Sequence, residues 1–207
     1  MESILNDISA SFTQMMGWEL VAVILALLYL VLIMRENIWS WHCALISTAI
    51  SVVIFWKVSL LMESTLNIYY MAMAVYGWWC WKSGGPKSSP LPIQSWSIKT
   101  HSLVIALIVI ITLFSGFILS SYTEAAWPYL DSFTTWASVI TTYLVAKKVL
   151  ENWLYWLVIN SVALGLYIER DLYLYSLLLI LYLVISVFGY INWKQTYRAE
   201  SAPTSVA

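Results

Sequence analysis

Seven apolar stretches, about 15 to 22 residues long and nearly free of charge, leave this chain few ways to fold. They cover roughly 18–34, 38–56, 65–82, 100–120, 132–146, 152–168 and 172–193. A helix that spans a bilayer needs about 20 mostly apolar residues. Of the 207 residues, 61% are hydrophobic and 10% are charged. A soluble domain carries about 25% charged residues, enough to cover its surface. This chain cannot do that in water and has no need to in lipid. The expected class is an all-α integral membrane protein with seven transmembrane helices. The fifth run, SFTTWASVITTYLVA, is rich in hydroxyls and is expected to be shielded from lipid by its neighbours. Residues 83–96, SGGPKSSPLPIQSW, have the Gly, Pro and Ser content of a loop.

The ends read differently. The opening residues lack a basic n-region and a cleavage site, so no signal peptide is expected. Ile4, Leu5, Ile8 and Phe12 recur at helical spacing, which predicts an amphipathic segment over 1–17 lying on the membrane surface. The residues after Trp193 are polar and are expected to be disordered.

Lysine and arginine placement gives the orientation. With seven spans, one side holds Arg35, Lys82, Lys87, Lys99, Lys147, Lys148, Lys194 and Arg198, and the other holds Lys57 and Arg170. That asymmetry predicts a cytoplasmic C-terminus and an external N-terminus. Net charge is −1, which gives no electrostatic case for nucleic acid.

The chain also repeats itself. An offset of 112 residues lays 18–82 on 130–194 without a gap, pairing Trp41 with Trp153, Tyr70 with Tyr182, Gly77 with Gly189 and Trp81-Lys82 with Trp193-Lys194. Two three-span repeats, 18–82 and 130–194, then flank a loop and linker span, 83–129, and leave a tail, 195–207. An odd linker gives both triplets the same orientation. Parallel repeats of this kind are a transporter design, with the substrate held between them near the midplane.

Polar residues within spans are costly and face a cavity or another helix. Glu63, Asn67 and Tyr70 share one face of the third span, and Asp131, Thr134, Thr135, Ser138 and Thr142 stripe the fifth. In the sixth, Asn152, Trp156 and Asn160 are spaced by four, with Trp153 one step around; Tyr182 in the seventh is the mate of Tyr70. Hydrogen bonding between helices would satisfy any one of them; convergence of the set on one cavity points to binding. Trp78, Trp79, Trp81, Trp96, Trp127 and Trp193 sit near span ends, as an interfacial aromatic belt does. For Trp41, Trp153 and Trp156, packing and ligand stacking are both open. An aromatic cage suits a flat or cationic ring.

The sequence carries no mid-span charge, a pattern that favours uncoupled diffusion over ion coupling. Nor does it carry a His/Glu metal spacing or a nucleotide-binding glycine loop, so neither metal nor cofactor is expected. An intramembrane enzyme would need a nucleophile or metal cluster within a span. A sensor would usually bring a soluble domain. Both fit less well than a transporter.

Three stretches carry a family resemblance: ESTLNIYYMAMAVYGWWCWK at 63–82, DSFTTWASVITTYLVAKKVLENWLYWLVIN at 131–160 and GYINW at 189–193. They resemble the nicotinamide riboside transporter family, PnuC, and GWELVAVILALLYLVLIMREN with the following WSW fits its first two spans. The run from Lys148 to Asn160 is the most specific part. The resemblance implies a three-one-three arrangement similar to the SWEET sugar transporters. It implies facilitated uptake of a vitamin across the bacterial inner membrane, trapping by a cytoplasmic kinase, and a homotrimer. It places the site at Asn67, Tyr70, Thr134, Thr135, Ser138, Trp153, Trp156 and Asn160, to which the residue reading adds Trp41 and Tyr182. Nicotinamide riboside is the first expected substrate and thiamine the second, since both carry a cationic heteroaromatic ring. The chain departs from the family at Asn67, where Gln is frequent, and at Ala74, near which riboside carriers have an Asn.

Overall fold

Each apolar run forms one helix. The computed structural model describes residues 17–57, 59–84, 90–123, 126–169 and 173–201. The helices are α1 (Gly17–Met34), α2 (Trp39–Lys57), α3 (Leu61–Ser83), α4 (Ile98–Tyr122), α5 (Pro128–Ala146), α6 (Asn152–Glu169) and α7 (Tyr173–Ser201). The amphipathic segment expected over 1–17 lies, but for Gly17, outside the described residues. By length and composition α1, α2, α4 and the Tyr175–Ser201 part of α7 can cross a membrane. The other three hold the Asn, Thr, Ser and aromatic residues singled out above, which lowers their hydropathy.

Local signals set the helix starts. Ser97 caps α4, its hydroxyl accepting from the Thr100 amide at 3.3 Å. Pro128 opens α5, where the missing N–H costs nothing. The last helix differs from expectation, since α7 continues through Lys194 to Ser201. Tyr197 packs against the main core and ties this extension down, and Arg198 in its last turn complements the helix dipole.

α1 packs on α2 and α2 on α3; α5 packs on α6 and α6 on α7; α4 packs on α5. α1 also packs on α7 and α3 on α5, pairs that the 112-residue offset interchanges. The side chains repeat the relation. The Trp41 ring meets Trp81 edge-on at 5.5 Å and 88°, and Trp153 meets Trp193 at 5.5 Å and 89°. A Cβ on Gly77 would strike the Trp41 ring, and one on Gly189 would strike Trp153, both closer than 3.0 Å. The bare backbones of α3 and α7 therefore let an indole lie flat on the helix, a close approach that small residues allow in membrane proteins.

Two indole bonds between these helices are reciprocal too. Trp81 Nε1 donates to the Val145 carbonyl at 3.2 Å, and Trp193 Nε1 donates to the Ile33 carbonyl at 3.1 Å. Residues 33 and 145 are themselves 112 apart. Both carbonyls lie in the last turn of a helix and also accept a backbone amide, Ile33 O from Glu36 N and Val145 O from Lys148 N, each at 3.0 Å. Trp81 and Trp193 are 3% and 0% exposed. This corrects their assignment to the aromatic belt: nearness to a span end fixes depth, not the face a residue presents.

Both helix-ending turns have the same form. Asn37 N donates to Leu32 O and Val149 N to Leu144 O, each at 2.9 Å. The intervening residues, Glu36 and Lys148, have φ of 55° and 51°. A left-handed helix-ending residue is usually glycine, and a side chain there costs roughly 1–2 kcal/mol.

The loop before α4 is ordered where it is described. Gln94 N donates to Lys148 O at 3.0 Å and Leu150 N to Gln94 O at 2.8 Å. Gln94 Nε2 donates to Lys147 O at 2.6 Å, and Ile93 is buried beneath. Glu151 accepts from the Ser95 hydroxyl and from the Trp96 amide and pairs with His101 Nε2 at 3.3 Å. His101 Nδ1 lies 3.0 Å from the Tyr155 hydroxyl. This strap ties the first turn of α4 to the start of α6.

Candidate functional site

α3 and α5 bring together the clearest part of the expected set. The Tyr70 hydroxyl lies close to the Ser138 side chain. Next to it, Tyr69 donates to the Val139 carbonyl at 2.8 Å. Tyr29 of α1 lies close to Tyr70 and stacks at a tilt on Trp41, 6.1 Å between centroids. Trp41 and Tyr29 thus join α2 to α1, while Tyr70 and Ser138 bring α3 and α5 together. Tyr29 escaped sequence reasoning because it sits alone in an aliphatic run; its repeat mate, the buried Thr141, was the available signal.

Trp156 lies where the main core meets the smaller cluster of Ile108, Ala137 and Ile159, and it packs against both. One turn on, Asn160 is 6% exposed. No side-chain hydrogen bond engages its amide among the described residues. An amide in that condition is available to a ligand. Trp41 and Trp153 are each 2% exposed, and both indole N–H groups are buried without an acceptor. These rings are packed between helices in this conformation.

The remaining expected residues are placed apart from these contacts. Asn67 donates to the Glu63 carbonyl of its own helix at 2.9 Å. Thr134 donates to Leu130 O and Asp131 O, both at 3.1 Å. Thr135 is exposed, and Tyr182 lies close to Tyr167. A cavity of about 200 Å³ between α2 and α3 is lined by Trp41, His42, Leu45, Ala74, Val75 and Trp78. Trp41 alone of the expected set lines it.

Lysines cap aromatic rings at the end where α1, α3, α5 and α7 terminate. Lys82 lies 4.9 Å from the Trp78 ring, and its mate Lys194 lies 5.2 Å from Tyr190. The Tyr76 hydroxyl beside Lys147 raises the lysine's pKa, which holds it charged. No group of three or more metal-ligating side chains occurs among the described residues.

The profile of the nicotinamide mononucleotide transporter family matches residues 16–195. The chain belongs to that family. Its relatives are named as transporters. The nicotinamide riboside transporter PnuC of Escherichia coli K12 is 25% identical over 213 residues, 90% of this chain and 89% of that one. The riboflavin/roseoflavin transporter RibM of Streptomyces davaonensis is 23% identical over 196 residues, covering 93% and 92%. PnuC of Neisseria mucosa is 24% identical over 199 residues, 87% of this chain and 73% of that one. A crystal structure of the vitamin B3 transporter PnuC superposes with a TM-score of 0.72 over 96% of this chain and 90% of that one, at 22% identity, so the two share a fold. Membership of the transporter family and the apolar helices together make this a multi-pass membrane protein.

Proposed function

We propose that the chain is a facilitative transporter importing nicotinamide riboside across a bacterial inner membrane. The observation that carries this is the aromatic and amide set of α6, Trp156 and Asn160, within a chain of which 90% matches a riboside carrier. In this reading α1–α3 and α5–α7 are parallel repeats joined by α4, a three-one-three design like that of the SWEETs. The substrate lies between them, contacted by Trp41, Asn67, Tyr70, Thr134, Thr135, Ser138, Trp153, Trp156, Asn160 and Tyr182. The pyridinium ring stacks on indole, since ring faces attract cations, and the polar groups orient the ribose. Three copies form a homotrimer, and a cytoplasmic kinase traps the product by phosphorylation.

Riboflavin is the second reading, favoured by the near full-length match to RibM. Transport itself is tested in proteoliposomes. Nicotinamide riboside should equilibrate across the bilayer and not exceed the outside concentration under an imposed proton or sodium gradient. Accumulation against its gradient would rule out facilitated diffusion.

The lysine-bearing end faces the cytoplasm in this account. A reporter active only in the cytoplasm should work when fused after Ser201 and stay silent when inserted between Ser121 and Asp131. The opposite pattern would overturn the orientation.

A further inference from the structure

The two triplets are pinned where the offset relates a residue to its own partner. Lys148 Nζ donates to Glu36 Oε2 at 2.9 Å, and 36 and 148 are 112 apart. An ion pair between repeat mates sits on the relating axis, and here it is flanked by the reciprocal indole bonds of Trp81 and Trp193. Those two rings face each other at 6.0 Å. Lys148 is 7% exposed and lies 4.6 Å from the Trp81 ring. Both members of the pair occupy left-handed backbone that glycine would fill without strain. Strained positions persist where something else requires the side chain, often at sites that switch. Helix capping does not require a side chain there. The ion pair does.

We propose that Glu36 and Lys148 are the latch of the lysine-bearing mouth: their ion pair closes the two triplets there and parts when the mouth opens. Neither residue touches substrate; both position the gate. The inference rests on the facilitative-transporter reading above, in which a substrate held between the two triplets must leave through a mouth that opens, and adds the residues that control one mouth. Twofold mating makes a particular demand on the exchanged pair. Lys148 caps Trp81, so a lysine at 36 has Trp193 available for the same contact.

Cys80 reports on the latch without any substrate. It is 3% exposed, its sulfur lies 3.8 Å from Lys147 Nζ, and Cys43 is the chain's other cysteine. In a Cys43→Ser background, N-ethylmaleimide should label Cys80 slowly. Glu36→Gln and Lys148→Gln should each speed labelling about tenfold, the population shift that ~1.4 kcal/mol gives. The exchange Glu36→Lys with Lys148→Glu should restore slow labelling. Glu36→Gly and Lys148→Gly should melt no lower than the parent yet label fast. Glycine variants that melt like the parent and label as slowly would overturn the latch, since the pair would then do no more than end two helices. An exchange that labels as fast as the single variants would overturn it too. Because labelling needs no vitamin, a wrong substrate assignment would leave this result standing.

Discussion

Gly189→Ala should lower the melting temperature sharply, at a cost of roughly 2 kcal/mol, the middle of the range for overpacking a close-packed site. The new methyl would meet the six-membered ring of Trp153. That ring cannot swing away freely, because its edge is set against Trp193, which is itself wholly buried. Gly77→Ala should cost a similar amount through Trp41 and Trp81. Trp81 and Trp193 pack on each other, so the two sites press on one indole cluster and their effects should couple rather than add. A smaller ring gives the control. Trp153→Phe combined with Gly189→Ala should recover part of the loss, a coupling expected only between residues in contact. Thermal unfolding in detergent measures each variant, with Trp153→Phe alone and the double alanine included. A Gly189→Ala protein that melts like the parent would show that α6 and α7 are not packed this closely.

Trp156→Ala should weaken substrate binding by about 30-fold, since a desolvated cation–π contact is worth roughly 2 kcal/mol. Trp156 also packs against both core clusters, so the alanine variant should lose stability as well. Trp156→Phe separates the two effects: it keeps much of the packing and a weaker π face, and should lose less affinity. Asn160→Leu keeps the volume and removes the amide, so it should weaken binding while the protein stays folded. Were these residues only packing helices, melting temperatures would fall and the folded fraction would bind normally. Unchanged affinity in all three variants would remove α6 from the site.

The sequence exposes the helices because a span must be long and apolar, a property of composition alone. All seven runs became helices, with boundaries shifted by a few residues except at α7. There the polar residues after Trp193 read as a tail, whereas Tyr197 returns to the core. The offset of 112 residues relates Trp41 to Trp153 and Gly77 to Gly189, and the two Gly–Trp pairs make the same close approach. It also marked Trp81 and Trp193 as a pair, although their depth had suggested an interfacial belt. The left-handed turns at Glu36 and Lys148 left no trace, because neither position is a glycine. The strap over 90–97 read as a loop from its prolines; composition cannot name the partners of Gln94. Of the candidate site, the meeting of Tyr70 with Ser138 followed from polar faces on two spans. Tyr29 did not, because one hydroxyl makes no periodic pattern.

The most direct test of the central claim is a binding titration of the purified protein, following its tryptophan fluorescence. Nicotinamide riboside should give saturable binding, with riboflavin and thiamine much weaker. Saturable binding of riboflavin or thiamine with no response to the riboside would contradict the account.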